Sequence, residues 1–365
     1  MPILGDILEQ ILKRVKMKDI NLANKIIGKN SRTFIVAELS ANHNGDINRA
    51  KEIIKELAKT STDAIKLQTY TPDTITLNSK NDEFMLKSGL WAGQSLYELY
   101  QKAYTPWSWQ AELKAYANSL GLICFSSPFD LSSVEFLSSL DMPAYKIASF
   151  EINDIGLIRS CALSKKPIII STGIATLSDI ELAIKTCKDA GNDDIILLKC
   201  TSAYPSPYDD MNLRSIQSLE QIFDCVVGLS DHSLGSEVAL GAVALGAKFI
   251  EKHVTLKRSD GGEDSKFSME IAEFAQMVEQ IRNLESALGA PKYALSQAQF
   301  LARAHSRSLY VCKDMKKGEI FSAQNLRSVR PNNGLHTKFY DEILGKKASK
   351  DIKFATPLSW DLVEF

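Results

Sequence analysis

Long apolar runs are missing from this sequence of 365 residues. No stretch approaches the ~20 consecutive apolar residues that cross a bilayer, which argues against a membrane span. Cysteine is scarce: Cys124, Cys161, Cys187, Cys200, Cys225 and Cys312 are the six, and no two form a CxxC pair. That argues against a disulfide framework and a thiolate zinc site, and the six read as reduced thiols of a cytoplasmic protein. HExxH is also absent. Neither sign of charge is in excess, since 43 lysines and arginines face 44 aspartates and glutamates for a formal net charge of −1. A general nucleic-acid binder is usually far more basic. The expected partners are therefore small molecules, an anionic one included if donors gather locally, and neither nucleic acid nor membrane.

A glycine-rich phosphate loop is missing too. After the first predicted strand the chain reads Ala41-Asn42-His43-Asn44-Gly45-Asp46 rather than GxGxxG, which argues against a doubly wound dinucleotide-binding sheet. At the N-terminus, Ile3, Leu4, Ile7, Leu8, Ile11, Leu12 and Val15 alternate with Asp6, Glu9, Lys13 and Arg14. That spacing predicts an amphipathic helix rather than the unbroken apolar core of a secretory leader.

What is present is an eightfold repeat. Short apolar, β-branched runs at 34–40, 64–70, 122–128, 144–149, 167–173, 194–203, 225–233 and 247–255 alternate with helical patterns, among them 48–61, 178–190, 236–246 and 269–288. Alternation of this kind predicts an α/β fold with a parallel sheet, and eight units in about 250 residues predict closure into a (β/α)₈ TIM barrel. The connection at 71–106 is too long for a plain turn and marks a functional loop with a helix through 95–100. After Gly289 the alternation stops. The expected organisation is an N-terminal extension at 1–32, a barrel at 33–290, a linker at 291–304 and a small C-terminal β-rich domain at 305–365.

In such a barrel, chemistry sits at the C-terminal ends of the strands. All eight predicted strands end in polar residues. Lys66 and Lys146 stand where Val or Ile would be cheaper to bury. With Ser127, Ser149, Ser171 and Ser230 at neighbouring strand ends, they read as a cradle for phosphate and carboxylate. His232 and His253 fall at the ends of strands seven and eight, so two imidazoles face one mouth and suit a divalent ion. Glu38 ends strand one, either as a general acid/base or as a salt-bridge partner of Lys66. Asp264 follows His253 in a loop over the mouth.

These segments resemble the sialic acid synthase family from about Met17 to the C-terminus. The runs that carry the resemblance are Ile35-Val36-Ala37-Glu38-Leu39-Ser40-Ala41-Asn42-His43-Asn44-Gly45, Ile65-Lys66-Leu67-Gln68-Thr69, Ala144-Tyr145-Lys146-Ile147-Ala148-Ser149, Gly228-Leu229-Ser230-Asp231-His232-Ser233 and Glu251-Lys252-His253. The tail is similar to the family's antifreeze-like (SAF) domain. The resemblance implies that Lys66, Ser127, Lys146, Ser149, Ser171, Ser202 and Ser230 hold phosphoenolpyruvate, that His232 and His253 hold Mn²⁺ or Mg²⁺, and that Glu38 is the catalytic carboxylate. It further implies that Gln68, Trp91, Tyr204 and Asp264 surround an acceptor sugar. Arg330 would join them from the other subunit of a domain-swapped homodimer. In the Arg330 loop, Asn332 replaces the family's usual first glycine.

The segments 90–100 and 259–265 resemble the branch of the family that takes a 2,4-diacetamido-2,4,6-trideoxyhexose. Trp91 stands where N-acetylneuraminate synthases carry an asparagine, and an apolar contact there suits a 6-deoxy sugar, although such a wall rejects an extra hydroxyl only weakly. Sibling synthases making N-acetylneuraminic or legionaminic acid remain alternatives. So do a Schiff-base pyruvate aldolase using Lys146 or Lys199, and a glycan-binding protein on a retired barrel.

Overall fold

The computed structural model describes residues 18–364, so the amphipathic helix expected at 3–15 lies outside the described residues. The chain divides after Gly289 into two compact units. No helix among the described residues is long and apolar enough to cross a membrane.

The first unit opens with a small antiparallel hairpin, β1 (Ile20–Leu22) and β2 (Lys25–Ile27). Eight parallel strands follow: β3 (Phe34–Glu38), β4 (Ala64–Thr69), β5 (Ile123–Pro128), β6 (Tyr145–Ile147), β7 (Ile168–Ser171), β8 (Ile195–Cys200), β9 (Val226–Asp231) and β10 (Phe249–Thr255). Each pairs with the next, and β10 pairs with both β9 and β3, which closes the barrel. Every strand lies within a predicted run, and the helices fall close to the predicted bounds, for instance Leu177–Asp189 and Ile271–Leu288. Local chemistry fixes their starts. Thr176 and Asp179 form a reciprocal capping box, as do Ser95 and Glu98 at the head of Leu96–Ala103 inside the long second connection.

Because side chains alternate across a strand, the barrel has two cores. Outward residues such as Ile35, Ile65, Ile147, Leu197 and Val227 pack against the helices. Inward residues Phe34, Val36, Ala64, Phe125, Ile169, Leu198, Val226 and Phe249 fill the interior. Gly228 is inward as well, and a β-carbon there would overlap the Phe249 backbone and Leu198. Ile20, Leu22 and Ile27 of the hairpin belong to this interior core. The segment expected to be a plain extension up to residue 32 therefore joins the barrel's packing from residue 20 onward.

Charge fastens this end of the barrel. Asp63, 1% exposed, accepts from Lys25 Nζ (2.6 Å), Arg32 Nη2 (2.9 Å) and Arg282 Nη2 (3.2 Å), and from the Ile35 backbone N–H at 2.9 Å. One carboxylate thus joins the hairpin, β3 and the last helix of the unit.

The second unit begins with a helix, Gln297–Ala302, capped by Ser296, within the stretch expected to be a linker. Short antiparallel pairs follow: Ser308–Val311 with Leu326–Val329, and Lys347–Ala348 with Val363–Glu364. Leu309, Phe321, Leu326, Ile343, Ile352 and Leu358 form its own core.

Asp63→Ala should lower the unfolding free energy by about 2–3 kcal/mol. That is below the 3–5 kcal/mol typical of a broken buried pair, because Lys25 and Arg32 keep partial access to water. Urea titration checks this, and an unchanged midpoint would refute it.

Candidate active site

The strand parity that puts Phe34 and Val36 inside the barrel puts Glu38 there too, and the same count applies to every strand. Lys66 and Gln68, Ser127, Lys146, Ser171, Ser230, and Glu251 with His253 all follow apolar inward residues at a spacing of two. The upper half of the interior is therefore polar and charged. Lys66, Lys146, Ser171, Ser230, Glu251, His232 and His253 line one cavity together with Gln68, Ser149, Trp91, Tyr204 and Asp264. Glu38 and Ser127 are 0% and 1% exposed and lie behind that lining.

Four buried charges organise the centre. Lys66 Nζ lies 2.9 Å from Glu38 Oε2 and 2.8 Å from Glu251 Oε1, and Lys146 Nζ is 3.5 Å from Glu251 Oε1. Ser230 Oγ also donates to Glu251 Oε1 at 3.2 Å. The carboxylates share Lys66 but differ in state. Burial pushes Glu38 up, Lys66 offsets only part of this, and the like charge of Glu251 adds to the rise. Burial acts on Glu251 as well, but Lys146 and Lys66 outweigh it and hold that carboxyl well below its usual range. Burial lowers Lys146 to about 8 despite Glu251. Lys66 loses most to burial, yet its two carboxylates hold it above its ordinary value.

Around the lysines stand hydroxyls with unused capacity. Ser127 Oγ and Ser171 Oγ are buried without a hydrogen-bond partner, although buried polar groups are normally satisfied. Ser149 Oγ accepts the Gly173 N–H at 3.0 Å. Gly173 has to be glycine, since a β-carbon would overlap Ser202 Oγ and Ser149 Oγ. Two cations and several hydroxyl donors converging in a water-poor space suit an oxyanion.

The imidazoles of His232 and His253 stand 5.2 Å apart, centroid to centroid. His232 Nδ1 lies 3.2 Å from the Thr201 carbonyl, which fixes its proton there and leaves the Nε2 lone pair for a ligand. It is also 3.7 Å from Cys200 Sγ. Burial lowers His232, but Cys200 and Thr201 hold it net above its ordinary value. His253 Nδ1 is buried without a hydrogen bond, with Asp264 Oδ2 3.8 Å away. Burial, then His232 and the lysines, keep that ring far below its ordinary value and neutral. No group of three or more His, Cys, Asp or Glu placed to hold a metal ion occurs among the described residues. Two imidazoles facing one cavity with no third ligand among the described residues suit an open site completed by substrate oxygens and water, and not a closed structural one.

The outer part of the cavity is aromatic on one side and acceptor-rich on the other. Trp91 stands 5.8 Å from Tyr204, and Tyr204 stands 4.6 Å from His232 and 5.2 Å from Phe267. Trp91 Nε1 donates to the Glu263 carbonyl at 3.1 Å, which pins the long second connection to the Asp264 loop. Opposite, Gln68 Nε2 donates to Glu38 Oε1 and Ser40 Oγ, both at 3.1 Å. Burial raises Asp264, partly offset by the Ser40 hydroxyl. Arg330 is exposed in the second unit. Asn332 beside it does not adopt positive φ, so its side chain puts no strain on the loop. Lys199 faces away from the cavity, donating to the Cys200 carbonyl (2.6 Å) and Thr201 Oγ1 (3.2 Å).

Glu251, Glu151 and Phe267 are among the cavity residues that the sequence reading did not assign to the site. Glu251 had a signal, because it precedes His253 by two and must share its face. Glu151 follows Ser149 by two; burial lifts its carboxyl to about 7 and its Oε2 has no hydrogen-bond partner. Phe267 gave no signal, because loop geometry alone brings it beside the histidines.

The NeuB family model matches residues 53–293 and the SAF domain model matches 306–364. The chain is 52% identical to the pseudaminic acid synthase of Campylobacter jejuni (strain 81-176), over 90% of this chain and 95% of that one. It is 39% identical to the N,N'-diacetyllegionaminic acid synthase of Campylobacter jejuni (strain ATCC 700819 / NCTC 11168), over 88% and 97%. Among solved structures, the N-acetylneuraminic acid synthetase of Leptospira borgpetersenii, in complex with citrate, aligns with a TM-score of 0.70 at 33% identity, over 78% of this chain and 95% of that one.

Gly173→Ala should displace Ser149 and Ser202 and weaken inorganic phosphate binding about tenfold or more, equivalent to about 1.4 kcal/mol. Isothermal titration reads this, and wild-type affinity in a folded variant would contradict the assigned cradle.

Proposed function

The chain belongs to the NeuB family, and from that premise we propose that it condenses phosphoenolpyruvate with 2,4-diacetamido-2,4,6-trideoxy-L-altrose and water, releasing phosphate and pseudaminic acid. The observation that carries the substrate pair is the inner ring of the barrel: Lys66 and Lys146 beside Ser127, Ser149, Ser171, Ser202 and Ser230, under an aromatic wall of Trp91 and Tyr204. The 52% identity to a pseudaminic acid synthase, against 39% to a legionaminic one, favours this acceptor over its sibling.

In the reaction, C3 of phosphoenolpyruvate forms a bond to the aldehyde carbon of the open-chain sugar, and the aldehyde oxygen becomes a hydroxyl. Water adds to C2 and gives up one proton, matching the proton taken by the aldehyde oxygen; the tetrahedral carbon then collapses to the ketone, its hydroxyl proton leaving as the C–O bond to phosphate breaks. The lysines and serines hold phosphate and carboxylate throughout, which is chiefly electrostatic preorganisation. Glu38, raised by burial and hydrogen-bonded to Gln68, is suited to accept the water proton and return it. A divalent cation, Mn²⁺ or Mg²⁺, when bound by His232 and His253, supplies a Lewis acid for the aldehyde. Gln68, Trp91, Tyr204 and Asp264 orient the sugar, with Trp91 offering an apolar face to its C6 methyl. Arg330 is assigned to the acceptor site of the other subunit in a domain-swapped homodimer. The orientation of Lys199 leaves Lys146 as the aldolase alternative's one lysine at the cavity.

Phosphate release with phosphoenolpyruvate should be fastest with the altrose derivative among the three hexosamine acceptors of pseudaminic, legionaminic and N-acetylneuraminic acid synthesis. Glu38→Gln should slow it about a hundredfold or more. Preference for another hexosamine would move the assignment to that branch, and near-normal turnover in the variant would remove Glu38 from its role. Mixed dimers of Arg330→Ala and Glu38→Ala chains should regain activity that neither homodimer has; no recovery would refute the shared site.

A further inference from the structure

Ser40 stands two residues beyond the end of β3, at the start of the 3₁₀ turn Ser40–His43, with φ at +46°, in the left-handed region. A β-carbon is disfavoured there, and glycine is the residue that adopts such a backbone without penalty. The serine is also 2% exposed and lines the cavity. A buried side chain kept at a backbone position that disfavours it calls for a compensating role, and its hydroxyl shows which. Ser40 Oγ donates to Asp264 Oδ2 and accepts from Gln68 Nε2 at 3.1 Å.

We propose that Ser40 is a positioning residue for acceptor recognition, holding Gln68 and Asp264 so that both present hydrogen-bond acceptors to the sugar. The geometry sets the polarity. Gln68 Nε2 spends its two protons on Ser40 Oγ and Glu38 Oε1, so the amide oxygen is the part left for a ligand. Asp264 offers carboxylate oxygens, steered by the same hydroxyl. A surface of acceptors selects donors, which on a diacetamido sugar are its hydroxyl O–H and amide N–H groups. Without the hydroxyl, the amide keeps only its bond to Glu38 and Asp264 keeps only the Ala41 N–H, so each loses one of the two contacts that fix its orientation. Phosphoenolpyruvate is anionic and has no such donors, so its binding is not expected to depend on Ser40.

This rests on the reading of the site as an acceptor-sugar site, and the test separates the two. Ser40→Gly removes the hydroxyl and relieves the backbone, whereas Ser40→Ala removes the hydroxyl and keeps the unfavourable φ. Both variants should raise the KM for the acceptor about tenfold or more and leave the KM for phosphoenolpyruvate within about twofold. Their melting temperatures should diverge, with Ser40→Gly above Ser40→Ala. Acceptor KM tracking melting temperature, or unchanged in both variants while the wild type turns over, would overturn the role of Ser40 alone. Failure of the wild type to turn over any of the three hexosamines would instead overturn the reading on which it rests.

Discussion

Lys66 held between Glu38 and Glu251 is the interaction on which the rest of this barrel depends. An isolated ionised group taken out of water costs far more than a domain's net stability. Four such groups inside one barrel persist only as a mutually compensating set. Lys66 bridges both carboxylates, Lys146 leans on Glu251, and Ser230 gives that carboxylate a further donor. Compensation is also what divides the roles. Glu251 absorbs the lysines' charge and stays ionised, which leaves Glu38 as the carboxyl whose proton is close to balance. The ionic set is weak support for stability in itself; its chemical consequence is a fixed field inside the cavity.

That constraint explains the opposite half of the interior. With the upper ring given to charge, apolar burial inside the barrel is confined to the lower layers, where Phe34, Phe125 and Phe249 meet Leu22 and Ile27 of the hairpin. The outer faces of the same strands follow the same logic on a smaller scale. Lys252, between Glu251 and His253, points the other way and is fully buried against Asp231 (2.6 Å) and the Ser233 carbonyl (2.7 Å). Asp231 in turn accepts from Ser233 N–H and Oγ, so the turn next to His232 is held from outside while the imidazole lines the cavity.

The acceptor side is built on different terms. Its residues come from loops: Trp91 from the long second connection, Tyr204 after β8, Asp264 and Phe267 after β10. They are tied by contacts between loops such as Trp91 to the Glu263 carbonyl and Ser40 to Asp264. Loops tolerate substitution better than strands, so this outer part of the cavity is freer to vary than the charged ring on the strands.

The sequence by itself determined the barrel and its inner ring. A period of two fixes which face each strand residue takes, so once Phe34 and Val36 are inside, Glu38 has no alternative, and Lys66, Lys146, Ser171 and His253 follow in the same way. Tertiary structure alone decided which charges pair, that Glu251 is held down while burial lifts Glu38, that Lys199 turns from the cavity, that the hairpin packs into the interior core, and that Phe267 belongs to the site. Those facts depend on distances between strands and loops far apart in the chain, and pairing and desolvation energies vary steeply with distance and burial. Periodicity carries direction along a strand, but it does not carry the separation between two of them.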